Sequence, residues 1–304
     1  MVDLSVKIGK LKLKNPVLTA SGTFGYGTEY GDYFDVGLLG GLITKTITRE
    51  CREGNPMPRI AETPCGMLNS IGLANIGVDR FCGEKLSELN NLDTVVIVNV
   101  AGSRVKEYSE VVKKIQEYDR VDGFEINISC PNVKKGGLAF GTDPQITEAV
   151  VSGVRKATKK TVIVKLTPNV TDIVAIARAS VDGGADALSL INTVLGMGVN
   201  IETRQSHLAS VVGGLSGPAI KPIALAKVYH VAKAVSVPVI GMGGIMNWQD
   251  AIAFFIVGAT AVEVGTLNFM EPDGVVQIIQ GIESYCEKKG ISSISELTGS
   301  LQEG

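Results

Sequence analysis

A chain of 304 residues that is 45% hydrophobic holds enough apolar material for one barrel of about 250 residues or for two ordinary domains. Its 29 basic and 31 acidic residues leave a formal charge of −2 without long like-charged runs, which excludes the electrostatic footprint of a nucleic-acid binder. No apolar run is long enough to span a bilayer and MVDLSVKIGKLKLK lacks the apolar centre of a signal peptide, so a soluble cytoplasmic protein is expected.

Taken in chain order, SVKIGKLKLKNP alternates with period two around Gly9 and Lys10, the pattern of a hairpin. PVLTASG from Pro16 and GLITKTIT from Gly41 follow as strands. Residues 49 to 90 then interrupt the spacing before the third strand, TVVIVNVAG from Thr94. VKEYSEVVKKIQEY from Val105 has helical periodicity, and GFEINISC from Gly123 is the fourth strand. It runs into NISCPN, Asn127 to Asn132, where Asn and Pro end the ladder, leaving Cys130 at a rim. The Gly- and Lys-rich VKKGGLAFGTDP that follows is long enough for a lid over a pocket. TVIVKLTP from Thr161, the helical stretch after Asp172, and ALSLINTV from Ala187 come next. A second insertion covers residues 195 to 217. PVIGMGG from Pro238, AVEVGTL from Ala261 and a helix after Asp273 complete the pattern.

Eight near-continuous apolar strands alternating with helices predict a parallel sheet buried on both faces and closed as a (β/α)8 TIM barrel. A single domain over residues 1–304 is expected, because no proline-rich or low-complexity linker divides the chain. The hairpin should lie across the barrel bottom, and both insertions should cover the mouth at the strands' C-terminal ends.

The strand ends carry residues a core does not want: Lys45 and Thr46, Asn99, Asn127 and Cys130, Lys165, Asn192 and Thr193. One buried Lys or Asn is commonly satisfied by a neighbour, but the same violation in unit after unit points to a shared pocket. The last two strands end instead in GMGG (Gly241 to Gly244) and VGTL (Val264 to Leu267). Glycine turns after the seventh and eighth strands favour phosphate binding by backbone amides. GMGG is not a dinucleotide fingerprint, since position 246 is Met.

Five scattered cysteines without a C-x-x-C pair, and two distant histidines, argue against a disulfide framework and against an intrinsic zinc or iron-sulfur site. Cys51, Cys65, Cys82 and Cys286 are read as ordinary thiols. Trp248, Phe254 and Phe255 have the spacing of packing residues, and His207 and His230 are read as peripheral. Arg52 and Arg59 in REGNPMPR either bind something at the rim or anchor the loop.

ASGTFGYG from Ala20, TKTIT around Lys45, REGNPMPR, LNSIGLAN from Leu68, NISCPN, VKLTPN from Val164, INT from Ile191, GGLSGPAIKP from Gly213, GMGGI and VGT together resemble the dihydroorotate dehydrogenases, over essentially the whole chain. Cys130 resembles the soluble enzymes, where membrane-bound relatives carry serine. IGLANIGVD and NVKKGGLAFGTDP are most similar to the catalytic subunit of the NAD-linked heteromeric class, with the fumarate-using homodimeric class as nearest competitor.

The resemblance implies FMN at Ser21, Lys45, Thr46, Asn99, Asn127, Lys165, Ile191, Gly217, Gly243, Gly244, Gly265 and Thr266. It implies dihydroorotate or orotate at Lys45, Asn69, Ser70, Ile71, Gly72, Leu73, Asn127, Asn192 and Thr193, with Cys130 as the base. It further implies a partner subunit carrying FAD and an iron-sulfur cluster, in a heterotetramer built on a homodimer core, since no NAD fingerprint exists in this chain. Two other readings stay open on the residues alone: a flavin-free aldolase using Lys165 as a Schiff-base lysine, and a catalytically silent binding barrel.

Overall fold

The computed structural model describes residues 2–129 and 140–302. Cys130, Pro131 and Asn132 of NISCPN and most of the expected lid lie outside the described residues.

The first strands, β1 (Val6–Ile8) and β2 (Leu11–Leu13), pair antiparallel across the Gly9 turn with Ile8 opposite Leu11. Gly9 has φ +56, and the Lys10 amide donates to Thr161 Oγ1 at 3.1 Å. The turn therefore rests on the start of a barrel strand, as expected of a bottom plug.

The barrel closes in the order Ala187–Leu190 (β10), Val239–Met242 (β15), Ala261–Val264 (β16), Val17–Thr19 (β3), Gly41–Ile43 (β4), Val95–Val100 (β7), Gly123–Asn127 (β8) and Thr161–Lys165 (β9). All eight strands expected from sequence are present and parallel, and nearly every residue in them is buried. Two-sided burial explains why these runs show no polar alternation.

The remaining strands belong to the insertions. Ile60–Thr63 (β5) and Gly66–Asn69 (β6) come from the first; Val194–Gly196 (β11), Val199–Asn200 (β12), Gln205–Ser206 (β13) and Gly213–Ser216 (β14) flank or form the second. Strands β11, β14, β6 and β5 make one antiparallel sheet, with Gly214 opposite Asn69. The two insertions thus build a single roof.

Helices Gly77–Arg80 (α1), Val105–Ile115 (α2), Pro144–Ala157 (α3), Ile173–Asp182 (α4), Lys221–Ala234 (α5), Trp248–Ile256 (α6) and Gly274–Lys289 (α7) surround the barrel. In α2 the buried Tyr108, Val111, Val112 and Ile115 follow the 3,4 spacing of one helical face. Helix starts are set locally: Asp143 caps α3 with Pro144 in the first turn, Asp172 caps α4 and Asn247 caps α6. Helix α7 ends at Gly290 in the left-handed region, where a side chain would be strained. Phe254 and Phe255 are fully buried, and the Trp248 ring covers Gly281 and lies 5.6 Å from the Tyr285 ring. These aromatics pack, as their spacing suggested. His207 and His230 are exposed, Cys51 and Cys65 are exposed free thiols, and Cys82 and Cys286 are buried free thiols.

Candidate active site

A cavity of ≈ 890 Å³ opens between the C-terminal strand ends and the roof. Among the described residues, every position named above for cofactor or substrate lines it except Asn99. That residue lies beneath the floor, fully buried, with Nδ2 bonded to Glu125 Oε2 and no described partner for Oδ1.

One side is backbone. Gly217 has φ +93, and a Cβ on it would stand 2.7 Å from the Gly66 Cα. Gly244 has φ +74, and its Cβ would stand 2.9 Å from the Gly217 carbonyl oxygen and 2.8 Å from Lys221 Cβ. Only glycine allows the loop after β15 to approach the start of α5 this closely. The Asp250 carboxylate ties the two together, accepting from the Met246 amide at 2.9 Å and pairing with Lys221 Nζ. Thr266 Oγ1 donates to Ser216 Oγ at 3.0 Å, closing the wall. The combination of glycine turns, small hydroxyls and a helix start suits a phosphate.

The opposite side is amide and hydroxyl. Asn55 donates from its backbone amide to Ile71 O at 3.1 Å and from Nδ2 to Ser70 O at 3.0 Å, which fixes the stretch from Asn69 to Leu73. Ser70 Oγ is buried there without a partner among the described residues. Asn127 and Asn192 each accept a local amide on Oδ1, from Ser129 at 3.2 Å and Thr193 at 2.7 Å. Among the described residues their Nδ2 groups have no acceptor, which leaves them as donors toward a planar ligand. Arg59 donates to the carbonyls of Asn55 and Glu53, so it is a loop anchor, while Arg52 lines the cavity.

Two lysines line the same space. Burial pushes the Lys45 ammonium below its ordinary value; Glu29 opposes this and Arg59 adds to it. Among the described residues that ammonium has no ion pair or hydrogen bond. Lys165 is almost fully buried, 3.6 Å from Glu125 Oε2 and 3.4 Å from Glu263 Oε2. Burial would lower its pKa, but the two carboxylates outweigh this and raise it. Glu263 is pushed well above the carboxylate range, by burial and then by Glu125, with Lys165 opposing.

Glu125, Glu263 and Ser189, which donates to Glu125 Oε1 at 2.6 Å, were not found from sequence. The available signal was a carboxylate inside an apolar strand, in GFEIN and AVEV. Asn55, Asn169 and Asp250, whose hydrogen bonds hold the cavity walls, also went unnoticed. Asn169 donates to Thr193 O and accepts from the Leu195 amide, linking the strand ends to the roof.

Among the described residues no helix is long and apolar enough to cross a membrane, and no group of three or more His, Cys, Asp or Glu is placed to hold a metal ion. A family model described as dihydroorotate dehydrogenase matches residues 3–286. A Geotalea daltonii protein is 55% identical over 300 residues, covering 99% of this chain and 98% of its own. A Thermoanaerobacter sp. protein is 55% identical over 301 residues, covering 99% of each. Both are described as dihydroorotate dehydrogenase B (NAD(+)), catalytic subunit. In fold, the chain is similar to the crystal structure of DHODH in complex with ferulenol from Eimeria tenella. The TM-score is 0.81 at 24% identity, over 98% of this chain and 88% of that one.

Proposed function

The chain belongs to the dihydroorotate dehydrogenase family, and from that premise we propose that it oxidises dihydroorotate to orotate in pyrimidine biosynthesis, as the cytoplasmic catalytic subunit of an NAD-linked enzyme. The observation that carries this is the two-sided cavity: a glycine wall fit for a phosphate faces an amide wall and an unpaired ammonium fit for a carboxylated ring. Residues 1–304 act as one FMN-binding barrel domain on this reading.

The residues present fit FMN. Added Cβ atoms at Gly217 and Gly244 would fill the cradle, and Glu263 Oε1 and Ser70 Oγ are buried with no described partner. Gly217, Gly243, Gly244, Gly265 and Thr266 would hold the phosphate; Ser21, Thr46, Asn127, Lys165 and Ile191 would border the ring. Asn99 would act from beneath, through Glu125. When bound, FMN supplies a hydride acceptor, and a cation beside its ring favours the anionic reduced form.

The substrate carboxylate pairs with Lys45, which has no ion pair among the described residues. Asn69 to Leu73, Asn127, Asn192 and Thr193 supply the donors and acceptors that a ring of alternating carbonyl and imide groups needs. Oxidation removes a proton from the methylene carbon beside a carbonyl as hydride leaves the neighbouring carbon. Cys130, which lies outside the described residues, takes that proton on Sγ as thiolate, on the strength of the family resemblance. A free thiol has a pKa of about 8.5, so turnover should rise with pH unless the site lowers that value.

The aldolase reading fails on electrostatics. A Schiff-base lysine needs a neutral amine, whereas Glu125 and Glu263 hold Lys165 as a cation. The relatives' description as a catalytic subunit supports a companion chain. On this reading the companion carries FAD and an iron-sulfur cluster, and two copies of each chain assemble.

Purified protein should be yellow, release FMN on denaturation and bleach anaerobically with dihydroorotate. Cys130→Ser should keep FMN and lose most turnover, with the residue of activity displaced to higher pH. Colourless protein trapped by borohydride with a sugar phosphate would overturn the assignment. Efficient fumarate reduction by the isolated chain, with no iron-containing companion co-purifying, would overturn the NAD-linked class.

A further inference from the structure

The cluster beneath the cavity floor holds more carboxylate than its cation can balance. Glu125, Glu263 and Lys165 are all at least nine-tenths buried, so two ionised carboxylates and one ammonium would leave a net negative charge without solvent. The two carboxyls differ in their surroundings. Glu125 faces three donors, Asn99 Nδ2 and Lys165 Nζ at Oε2 and Ser189 Oγ at Oε1. Glu263 receives only Lys165 Nζ, at 3.4 Å on Oε2, and no donor among the described residues reaches Oε1. Both carboxyls turn Oε2 toward the same ammonium, at 3.6 Å for Glu125 and 3.4 Å for Glu263.

Among the described residues no other charged side chain pairs with the cluster. Strand β16, which carries Glu263, lies between β15, with no charged residue, and β3, whose Thr19 Oγ1 is buried without a described partner. Across the barrel Glu263 faces Lys165 and Glu125, with Asn99 and Ser189 behind them.

We propose that Glu125 and Glu263 share one proton throughout neutral pH, so that the Glu125–Lys165–Glu263 cluster is electrically neutral and keeps Lys165 cationic at the cavity floor. The proton resides on the Glu263 side, because Glu125 has the donors that stabilise an anion. Both glutamates are positioning residues: they act on a bound ring through Lys165. The consequence for a flavin rests on the proposed function; the shared proton does not.

The cluster has a signature that simple packing would lack. In the infrared spectrum of the flavin-free protein at neutral to mildly alkaline pH, where exposed carboxyls are ionised, one carboxylic-acid carbonyl band should remain. Glu125→Gln and Glu263→Gln should each abolish it, since a single carboxylate beside Lys165 ionises. Each single variant should keep the midpoint potential of bound FMN near that of the unaltered protein, because the cluster stays neutral. The double variant leaves Lys165 unbalanced and should raise the potential.

Absence of the band from the unaltered protein would overturn the proposal without any variant having to fold. So would persistence of the band in both single variants, or a raised potential in each of them, which would mean that both carboxylates were ionised. Protein that shows the band but binds no flavin would refute the proposed function and uphold the shared proton.

Discussion

Lys45 and Lys165 end two strands of one barrel and line one cavity, yet the floor and the wall treat them in opposite ways. At the floor, Lys165 lies between two buried glutamate side chains that keep it charged. At the wall, Lys45 has no ion pair among the described residues, and burial depresses its pKa against the weaker pull of Glu29. The contrast shows that an ammonium's role is set by who balances it. A cation already balanced contributes a fixed field and cohesion, whereas one left unbalanced in a half-buried site is stabilised by an anionic ligand.

Removing the floor cation should have the largest effect. Lys165→Met strands Glu125 and Glu263, and breaking a buried ion pair from one side costs about 3–5 kcal/mol. Urea unfolding should show a loss of that size; a loss under about 1 kcal/mol would mean that the floor is not a charge cluster. At the wall, Lys45→Ala strands nothing and should leave stability nearly unchanged while weakening orotate. A charge-assisted hydrogen bond is worth about 1.5–3 kcal/mol, or about 10- to 150-fold in Kd, which calorimetric titration can read. Equal orotate binding by this variant would remove the wall from the comparison.

Gly244→Ala tests the glycine side. A non-glycine residue at φ +74, pressed on the Gly217 carbonyl, should cost about 1–3 kcal/mol and show as faster FMN loss in dialysis. The smallest effect is pH dependence. The depressed Lys45 value means that the folded protein releases this proton at lower pH than an exposed lysine, so orotate affinity is complete below the folded value and declines as pH rises through it. Lys45→Arg should bind orotate without that alkaline decline; an identical pH profile in both proteins would assign the titration to another group.

Much of this was legible in the chain. Strands buried on both faces must be continuous apolar runs, so eight of them with intervening helices describe a closed barrel before any coordinates. Polar residues where such runs stop are visible as violations of strand preference, and this is how Lys45, Asn127, Lys165 and Asn192 were found. Glu125 and Glu263 escaped the same reading. They lie inside their runs, and a lone mid-strand carboxylate does not reveal whether it faces a helix, a partner strand or the barrel axis. Asn99 shows the converse: it ends a run as expected, yet its side chain turns under the floor to Glu125.

The amino-acid sequence by itself determined which segments become strands and helices, where the glycine turns fall and which residues stand at the barrel mouth, because those depend on local preference and periodicity. Only the tertiary structure decided which charges meet. Closing the barrel brings Glu125, Lys165 and Glu263 from three separate strands into one buried cluster, and β-pairing across 145 positions joins Asn69 to Gly214 in the roof. The physical reason is range: backbone preference acts over a few neighbouring residues, whereas electrostatic balance in a buried site depends on groups that only the folded chain brings within a few ångströms.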